Sequence, residues 1–244
     1  MKSVILAAGI SARLRPLTDH IPKCLLKIGD KTILERTLDN LLAYHLNDIA
    51  IVTGYLEEQI KNFVARYYPQ LNVTYIRNNK YDTTNNIYSL WMTKDLVINN
   101  DMLLMDSDIL FDKRILALLL QSKYPNCLAL RSDHKLSDEE IKIRLNSDKS
   151  IAEISKTVDL KHAVGESIGI EKFSTKFTNK LFEILDRKIL AENKVNIFYE
   201  AAFQEAIDEG EKLYVVNIDS LKCIELDFAE DIERATREVI QYLD

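Results

Sequence analysis

The stretch that decides the fold is Val4-Ile5-Leu6-Ala7-Ala8-Gly9-Ile10-Ser11-Ala12-Arg13-Leu14-Arg15, near the amino terminus. Its first five residues form a short apolar run that is typical of a buried strand, and the strand ends at the glycine. Residues 9–31 then predict a long loop, because they contain Pro16, Pro22 and the pair Gly29-Asp30. In open α/β sheets, ligands bind beyond the carboxyl ends of the strands, and this loop leaves such an end.

Strand and helix patterns alternate through the first half of the chain. Thr32 and Glu35 form a capping box, which predicts a helix that continues through about Tyr44. Further strands are predicted at 49–53, 72–76 and 102–105, and further helices at 55–67 and 86–96. This alternation predicts an α/β, Rossmann-like, doubly wound sheet that is mixed but mostly parallel, with helices on both faces.

The second half of the chain changes character, because its first strands follow one another without long helices between them. These strands are predicted at 127–131, 141–145 and 151–155. We expect them to form a small antiparallel extension of the sheet. The remaining predicted elements are helices at about 175–190 and 197–209, a strand pair near 213–216 and 223–226, and a last helix at 229–243.

Composition excludes several classes of protein. The 244 residues are 47% hydrophobic and 29% charged, which suits a globular chain rather than a disordered one. The net charge of −6 gives no global basic field for nucleic acid, and no apolar run reaches the ~18 residues of a membrane span. The three cysteines are far apart and indicate neither a disulfide framework nor a zinc site, so we expect a cytoplasmic protein without nucleic-acid or membrane partners.

The loop after the first strand has the residue types of an anion-binding site. Its small residues let backbone N–H groups approach an anion closely. Arg13 offers a planar fork for phosphate oxygens, and Lys23 adds a compact charge for a second phosphate group. The loop matches neither the P-loop pattern nor the dinucleotide pattern Gly-x-Gly-x-x-Gly. A solvated surface loop with incidental cations is the alternative interpretation.

Two pairs of carboxylates follow predicted strands. Asp106 and Asp108 come directly after the apolar run at 102–105, and Glu225 and Asp227 end a late strand. Residues two apart on a strand point to the same face, so the members of each pair are predicted to share a face. Mg²⁺ binds through one or two carboxylates plus substrate phosphates, which makes these positions candidate ligands. The alternative is that the aspartates cap the helices that follow them.

These motifs resemble those of the nucleotidyltransferases that make nucleotide-diphospho sugars and alcohols, and the resemblance runs over nearly the whole chain. It rests on Leu6-Ala7-Ala8-Gly9, Arg13-Leu14, Pro22-Lys23 and Ile33-Leu34-Glu35. A narrower similarity, to bacterial CTP:phosphocholine and phosphonate cytidylyltransferases, rests on Asn85-Asn86-Ile87-Tyr88-Ser89-Leu90, Asp106-Ser107-Asp108 and Ile224-Glu225-Leu226-Asp227. The sequence departs from the family at Ser11, where a second glycine is usual.

The resemblance implies a role for each matching residue. Residues implied to bind the nucleotide are Leu6, Ala7, Ala8, Gly9, Ser11, Arg13, Lys23, Asn86 and Ser89. The implied catalytic residues are Lys23, Arg13 and Asp108, and the implied Mg²⁺ ligands are Asp108 and Asp227, with Glu225 as the alternative to Asp227. Residues implied to bind the acceptor are Lys156, Glu166, Phe198, Tyr199 and Glu200. In the stretch Phe198-Tyr199-Glu200, an aromatic face and a carboxylate would contact a cationic amine.

The resemblance therefore implies a Mg²⁺-dependent cytidylyltransferase that transfers CMP from CTP to a phosphocholine-like phosphomonoester or an aminoalkylphosphonate. Residues 1–244 would form one domain, with a nucleotide-binding half at about 1–125 and an acceptor-binding half at about 126–244. The stretch from Glu139 to Arg144 lacks the tryptophan of a choline cage, so the expected acceptor class is an amino-alcohol phosphate or an aminophosphonate rather than phosphocholine specifically. The alternatives are a sugar-1-phosphate nucleotidyltransferase that uses UTP, GTP or dTTP, and a non-catalytic nucleotide-binding module. A homodimer is compatible with the sequence.

Overall fold

The structure, a computed structural model, describes residues 1–243. Its strands are β1 (Lys2–Ala7), β2 (Lys27–Ile28), β3 (Lys31–Thr32), β4 (Asp48–Thr53), β5 (Asn72–Arg77), β6 (Met102–Asp106), β7 (Ile109–Phe111), β8 (Cys127–Arg131), β9 (Lys142–Leu145), β10 (Ile151–Ser155), β11 (Gly165–Phe173), β12 (Tyr214–Asn217) and β13 (Cys223–Glu225). Its α-helices are α1 (Ile33–Ala43), α2 (Glu57–Tyr67), α3 (Asn86–Trp91), α4 (Lys94–Val97), α5 (Arg114–Gln121), α6 (Thr175–Asp186), α7 (Glu200–Asp208) and α8 (Ala229–Arg234).

The central sheet has nine strands, and β1 lies inside it. Strands β4 and β6 pair with β1 in parallel, and β5 pairs in parallel with β4. On the other side of β6, the strands β11, β9 and β10 are joined by antiparallel pairs. Strand β8 pairs antiparallel with β11 and parallel with β12. The predicted mixed sheet with an antiparallel extension is therefore confirmed.

Both faces of the sheet carry helices because side chains alternate along each strand. On β1, Val4 and Leu6 pack into a core with residues of α3, α6 and α7. Ile5 and Ala7 point the other way, into a core with α1, α2 and α5. Helix α1 begins with the predicted capping box, in which the Glu35 backbone N–H donates to the Thr32 hydroxyl at 3.0 Å. The doubly wound arrangement is therefore confirmed.

Several predicted elements of the second half are wrong. Strand β11 was not predicted, because its two glycines and buried charged residues break the apolar pattern. The strands near 213–216 and 223–226 do not pair with each other: β12 joins β8, and β13 pairs antiparallel with β7. The helix predicted at 197–209 begins only at Glu200, so Phe198 and Tyr199 precede it. The last helix is divided into α8, a π-helical turn and a 3₁₀ turn.

Candidate active site

The loop that leaves β1 is held in a defined shape by its own backbone. Ser11 adopts the left-handed conformation, with φ 55° and ψ 49°, which side-chain-bearing residues rarely adopt. Its carbonyl oxygen accepts hydrogen bonds from the Leu14 backbone N–H at 3.1 Å and from the Thr18 hydroxyl at 3.0 Å. Leu14 is buried against β7 and β13, which anchors the loop. The position of the family's second glycine thus keeps the conformation that glycine favours.

Lys23 lies at the centre of the charged groups of the site. Its ammonium donates to Asp108 Oδ2 at 2.7 Å and to Asp227 Oδ1 at 2.9 Å. The other Asp227 oxygen pairs with an Arg13 guanidinium nitrogen at 2.9 Å. Burial tends to lower the pKa of Lys23, but attraction from Asp108 and Asp227 outweighs it and holds the pKa above its usual value. Lys23 therefore stays charged, and the predicted convergence of the two carboxylates at the loop is present in the structure.

A pairing of short strands brings the two carboxylates together. Strand β13 runs antiparallel to β7, the strand that begins directly after Asp108. The Leu226 backbone N–H donates to the Asp108 carbonyl oxygen at 3.1 Å, just beyond the last strand residues. Asp227 follows directly, so its side chain reaches the same ammonium as Asp108 although 118 residues separate them in the sequence.

The capping alternative for these aspartates is wrong. Before α5, the Asp112 carboxylate accepts from the Arg114 backbone N–H, and Asp108 takes no part. Before α8, the Asp231 carboxylate accepts from the backbone N–H groups of Asp227 and Phe228. Other acidic residues therefore cap the helices and leave Asp108 and Asp227 free to face the loop.

Asp108, Glu225 and Asp227 offer a set of oxygen ligands that fits Mg²⁺. One carboxylate oxygen from each lies within 4.8 Å of the others. Asp108 Oδ1 is buried and has no hydrogen-bond partner within residues 1–243, so the set contains an unused acceptor. Partial desolvation and repulsion from Asp108 and Asp227 raise the pKa of Glu225 to about 8, although the residue keeps an exposed surface. Such crowded carboxylates are stabilised by a hard cation.

A cleft of about 310 Å³ joins the loop to the strand ends. It is lined by each residue that the resemblance implied for the nucleotide, namely Leu6, Ala7, Ala8, Gly9, Ser11, Arg13, Lys23, Asn86 and Ser89. The three candidate Mg²⁺ ligands line it as well. The structure thus gathers these residues around one cavity at the carboxyl ends of β1 and β6.

The segment between β5 and α3 adds cleft residues that the sequence did not single out. Asn78, Tyr81 and Thr84 line the cleft, and the Asn78 amide donates to the hydroxyls of Thr84 and Ser89 at 3.0 and 3.1 Å. A side chain at Gly54 would lie 2.7 Å from both the Ala8 carbonyl oxygen and Tyr81, so this close packing needs glycine. The sequence did contain a signal for Asn78, because this polar residue follows β5 at the same sheet edge as the loop.

Asp106 lines the cleft together with Asp108, as the spacing predicted, but it is not among the carboxylates that cluster at the candidate cation site within residues 1–243. The Tyr199 hydroxyl donates to Asp106 Oδ2 at 2.9 Å. Burial, followed by repulsion from Asp108 and Glu200, raises the pKa of Asp106 well above its usual value. A side chain at Gly169 would come within 2.6 Å of the same oxygen, so this glycine, at φ 72°, makes room for the carboxyl.

Two residues expected at the acceptor lie elsewhere. Tyr199 is fully buried and packs its ring on Phe203, so it supports Asp106 and lines neither the cleft nor the neighbouring groove. Glu166 is also buried and accepts from Arg131 Nε at 2.8 Å. Because both carboxyl and phenol are already bound to protein groups, neither is available to the acceptor in this structure.

The other three expected acceptor residues line a groove of about 750 Å³ beside the cleft. Phe198 belongs to both cavities and joins them. Lys156 follows β10 and places its ammonium 5.0 Å above the centre of the Phe198 ring. Glu200 begins α7, is 7% exposed, and has Oε2 without a hydrogen-bond partner within residues 1–243. Lys156, Phe198 and Glu200 thus define what we call the side groove.

Comparison with known proteins shows the family of this chain. A profile of the family described as Nucleotidyl transferase matches residues 2–131, just over half of the chain. The chain belongs to the nucleotidyl transferase family. As a nucleotidyltransferase it is an enzyme, which decides against the non-catalytic binding module that the sequence left open.

Relatives of this nucleotidyltransferase align over nearly its full length. It is 30% identical to the CTP:phosphoglutamine cytidylyltransferase of Campylobacter jejuni, covering 96% of this chain and 98% of the relative. It is 28% identical to the choline-phosphate cytidylyltransferase of Streptococcus pneumoniae, covering 96% of each. The solved structure of the CTP:phosphocholine cytidylyltransferase from S. pneumoniae superposes with a TM-score of 0.76 at 24% identity, over 96% of this chain and 97% of that chain, which shows a shared fold.

No helix within residues 1–243 of the nucleotidyltransferase combines the length and the apolar character that crossing a bilayer requires.

Proposed function

We propose that this nucleotidyltransferase is a Mg²⁺-dependent cytidylyltransferase, which transfers CMP from CTP to a small phosphorylated or phosphonate acceptor. The observation that carries the proposal is the Lys23 ammonium between Asp108 and Asp227. It puts positive charge and oxygen ligands at one point, which a reaction between two anions requires. Relatives named for phosphoglutamine and for choline phosphate support cytidine as the base and a phosphorylated acceptor.

The proposed reaction is an in-line displacement at the α-phosphorus of CTP. An anionic oxygen of the acceptor phosphate or phosphonate forms the new P–O bond. The bond from the α-phosphorus to the bridging oxygen breaks, and pyrophosphate leaves with its electron pair. Because the attacking oxygen is already anionic at pH 7, the protein needs no nucleophile or general base. Its contribution is positioning and positive charge.

Arg13 and Lys23 supply that charge by exchanging partners. Both side chains contact Asp227. We expect Lys23 to neutralise charge on the α-phosphate and Arg13 to bind the leaving pyrophosphate, whose oxygens match its planar fork. The left-handed turn at Ser11 orients the loop backbone beside them. Each phosphate contact therefore replaces a carboxylate contact that already exists.

Asp108 and Asp227 are the residues that we propose as Mg²⁺ ligands, with Glu225 as a third donor. Their oxygens lie within 4.8 Å of one another, and Asp108 Oδ1 has no other use among the described residues. Bound Mg²⁺ would supply charge neutralisation at the phosphate oxygens. The carboxylates that Lys23 and Arg13 release on binding phosphate are the same ones that would hold the ion, so their negative charge stays balanced.

A pyrophosphate-release assay tests the proposal. The protein is incubated with Mg²⁺, one of CTP, UTP, GTP or dTTP, and either phosphorylated amines and amino acids or hexose 1-phosphates. We expect release with CTP and a non-sugar acceptor. Release only with hexose 1-phosphates and another nucleotide would instead establish the sugar-1-phosphate alternative.

A further inference from the structure

In the side groove, the positive charge of Lys156 lies over the aromatic face that a quaternary ammonium would need. Lys156 Nζ lies 5.0 Å above the Phe198 ring centre, within the range of a cation–π contact. Phe198 is the one aromatic side chain that lines the groove within residues 1–243. A second cation brought to this ring would meet the charge of Lys156, and no further aromatic face is there to offset the repulsion. A trimethylammonium group would therefore reach this ring only by displacing Lys156 from it, although Glu153, Glu200 and Asp208 also line the groove.

Glu200 favours a ligand in the same groove that carries a hydrogen-bond donor. Its side chain is buried, and Oε2 has no hydrogen-bond partner among residues 1–243. Burial, opposed by a backbone hydrogen bond and by Lys156, raises the pKa of Glu200 to about 7. A buried polar oxygen without a partner is costly, and a ligand that carries an N–H group removes that cost. A trimethylammonium group has no N–H to donate.

Lys156 and Glu200 thus require two different groups on one ligand, an oxygen acceptor for the ammonium and an N–H donor for the carboxyl. Lys156 has a loose partner in Glu139, at 3.3 Å, whose side chain is 72% exposed. That exposed pair is weak enough for a ligand oxygen to replace it. Phe198 connects the groove to the cleft, so a ligand with its phosphate near Lys23 can extend its other end past this ring.

Building on the proposed function, we infer that the acceptor carries, at the end remote from its phosphate, both an N–H donor for Glu200 and a carboxylate or carbonyl oxygen for Lys156. The preferred chemical class is a phosphorylated amino acid or amino-acid amide rather than a phosphorylated quaternary amine. The side groove is then the element that selects the acceptor, and the cleft remains the element that binds the nucleotide.

The test compares four acceptors in the pyrophosphate-release assay with CTP and Mg²⁺. O-phosphoserine offers both groups, phosphoethanolamine only the N–H, phosphoglycolate only the carboxylate, and phosphocholine neither. We expect the kcat/KM of O-phosphoserine to exceed that of phosphocholine by roughly 10–100-fold, the cost of one buried unpaired polar group. The other two acceptors should fall between them. A phosphocholine value equal to or above that of O-phosphoserine overturns the inference.

Variants at Lys156 separate charge from general damage. Lys156→Met removes the charge but keeps most of the volume, and should lower the ratio of O-phosphoserine to phosphocholine turnover by about tenfold, the loss of one charge-assisted hydrogen bond. Lys156→Arg should keep the ratio, and so should Lys161→Met, which removes an exposed lysine outside the groove. A ratio that Lys156→Met leaves unchanged contradicts the inference.

Failure of the two proposals can be told apart. If UTP, GTP or dTTP replaces CTP, the assignment of the base fails, and the order of the four acceptors is measured with the active nucleotide. If CTP is used but phosphocholine is preferred, the proposed function stands and this inference fails. If none of the four acceptors releases pyrophosphate with any nucleotide, the inference is overturned.

Discussion

The cleft and the side groove meet at Phe198 but differ in whether their buried ionisable side chains have partners. In the cleft, the Lys23 ammonium already has Asp108 and Asp227 as partners at 2.7 and 2.9 Å. In the side groove, Glu200 is buried with one oxygen unpartnered within residues 1–243, and Asp106 and Glu171 lie close enough to interact with it. We conclude that a ligand in the cleft would replace carboxylate partners of Lys23, whereas a ligand in the side groove would add a hydrogen-bond partner for Glu200.

The largest expected effect distinguishes a cleft carboxylate from a structural one nearby. Asp108→Asn removes a charge that we place at the reacting phosphates, and loss of one such preorganised partner costs on the order of 10²–10³ in turnover. Its melting temperature should change little, because Asp227 still pairs with Lys23. Steady-state pyrophosphate release and thermal unfolding measure the two effects.

Asp112→Asn is the matched control, since Asp112 is buried and accepts from Arg114 at the start of α5. It should lower stability by about 0.5–2 kcal/mol, as loss of a helix cap does, with turnover kept. The opposite pattern, an unstable but active Asp108→Asn protein, would assign Asp108 a structural role.

An intermediate effect concerns stability against pH in the side groove. Burial raises the pKa of Glu200 from 4.5 to about 7. Between these values the folded protein keeps a proton that the unfolded chain releases, so stability falls as the pH rises through this window. Glu200→Gln does not titrate and should gain about 2–3 kcal/mol relative to the natural chain between pH 4.5 and 8.

Urea unfolding of both proteins at several pH values provides the measurement. Asp106 and Glu171 are present in both, so their own titration largely cancels in the difference. Parallel stability curves over pH 4.5 to 8 would mean that Glu200 ionises normally, and the contrast between groove and cleft would be lost.

The smallest expected effect concerns how Arg13 is held. The guanidinium carbon lies 5.1 Å from the centre of the Phe228 ring, and both side chains are exposed. An exposed cation–π contact is worth about 0.5–1 kcal/mol. Phe228→Leu should therefore raise the KM for CTP about 2–5-fold with little change in kcat. Phe228→Tyr should restore the natural value, and an unchanged KM in Phe228→Leu would show that the ring does not position Arg13.

The cleft could be predicted from sequence because each of its parts follows a strand. Gly9 follows the apolar run of β1 and Asp108 follows β6, at the edge where ligands bind in α/β sheets, and Asp227 follows β13. The convergence of Asp108 and Asp227 was harder to predict, because it depends on pairing between β7 and β13, which lie far apart in the chain. The conformation of Ser11 could not be read from the sequence, because only the folded loop imposes a positive φ there.

The side groove was harder to predict because tertiary contacts create it. Strand β10 is tied to α7 by the Ile154 backbone N–H, which donates to Gln204 Oε1 at 2.8 Å. This contact brings Lys156 over Phe198, and no local periodicity encodes it. Strand β11 was missed for a related reason, since Gly169 reads as a turn but forms an irregularity in the strand that makes room for Asp106.

The most direct test of the central claim measures pyrophosphate release from CTP against Mg²⁺ concentration, in the natural chain and in Asp227→Asn. The account predicts no release when EDTA removes the ion. It also predicts that Asp227→Asn needs more Mg²⁺ and loses roughly 10²–10³ in turnover while its melting temperature stays within a few degrees. Full turnover in Asp227→Asn at the natural Mg²⁺ requirement would contradict the claim that the two distant carboxylates act together at Lys23.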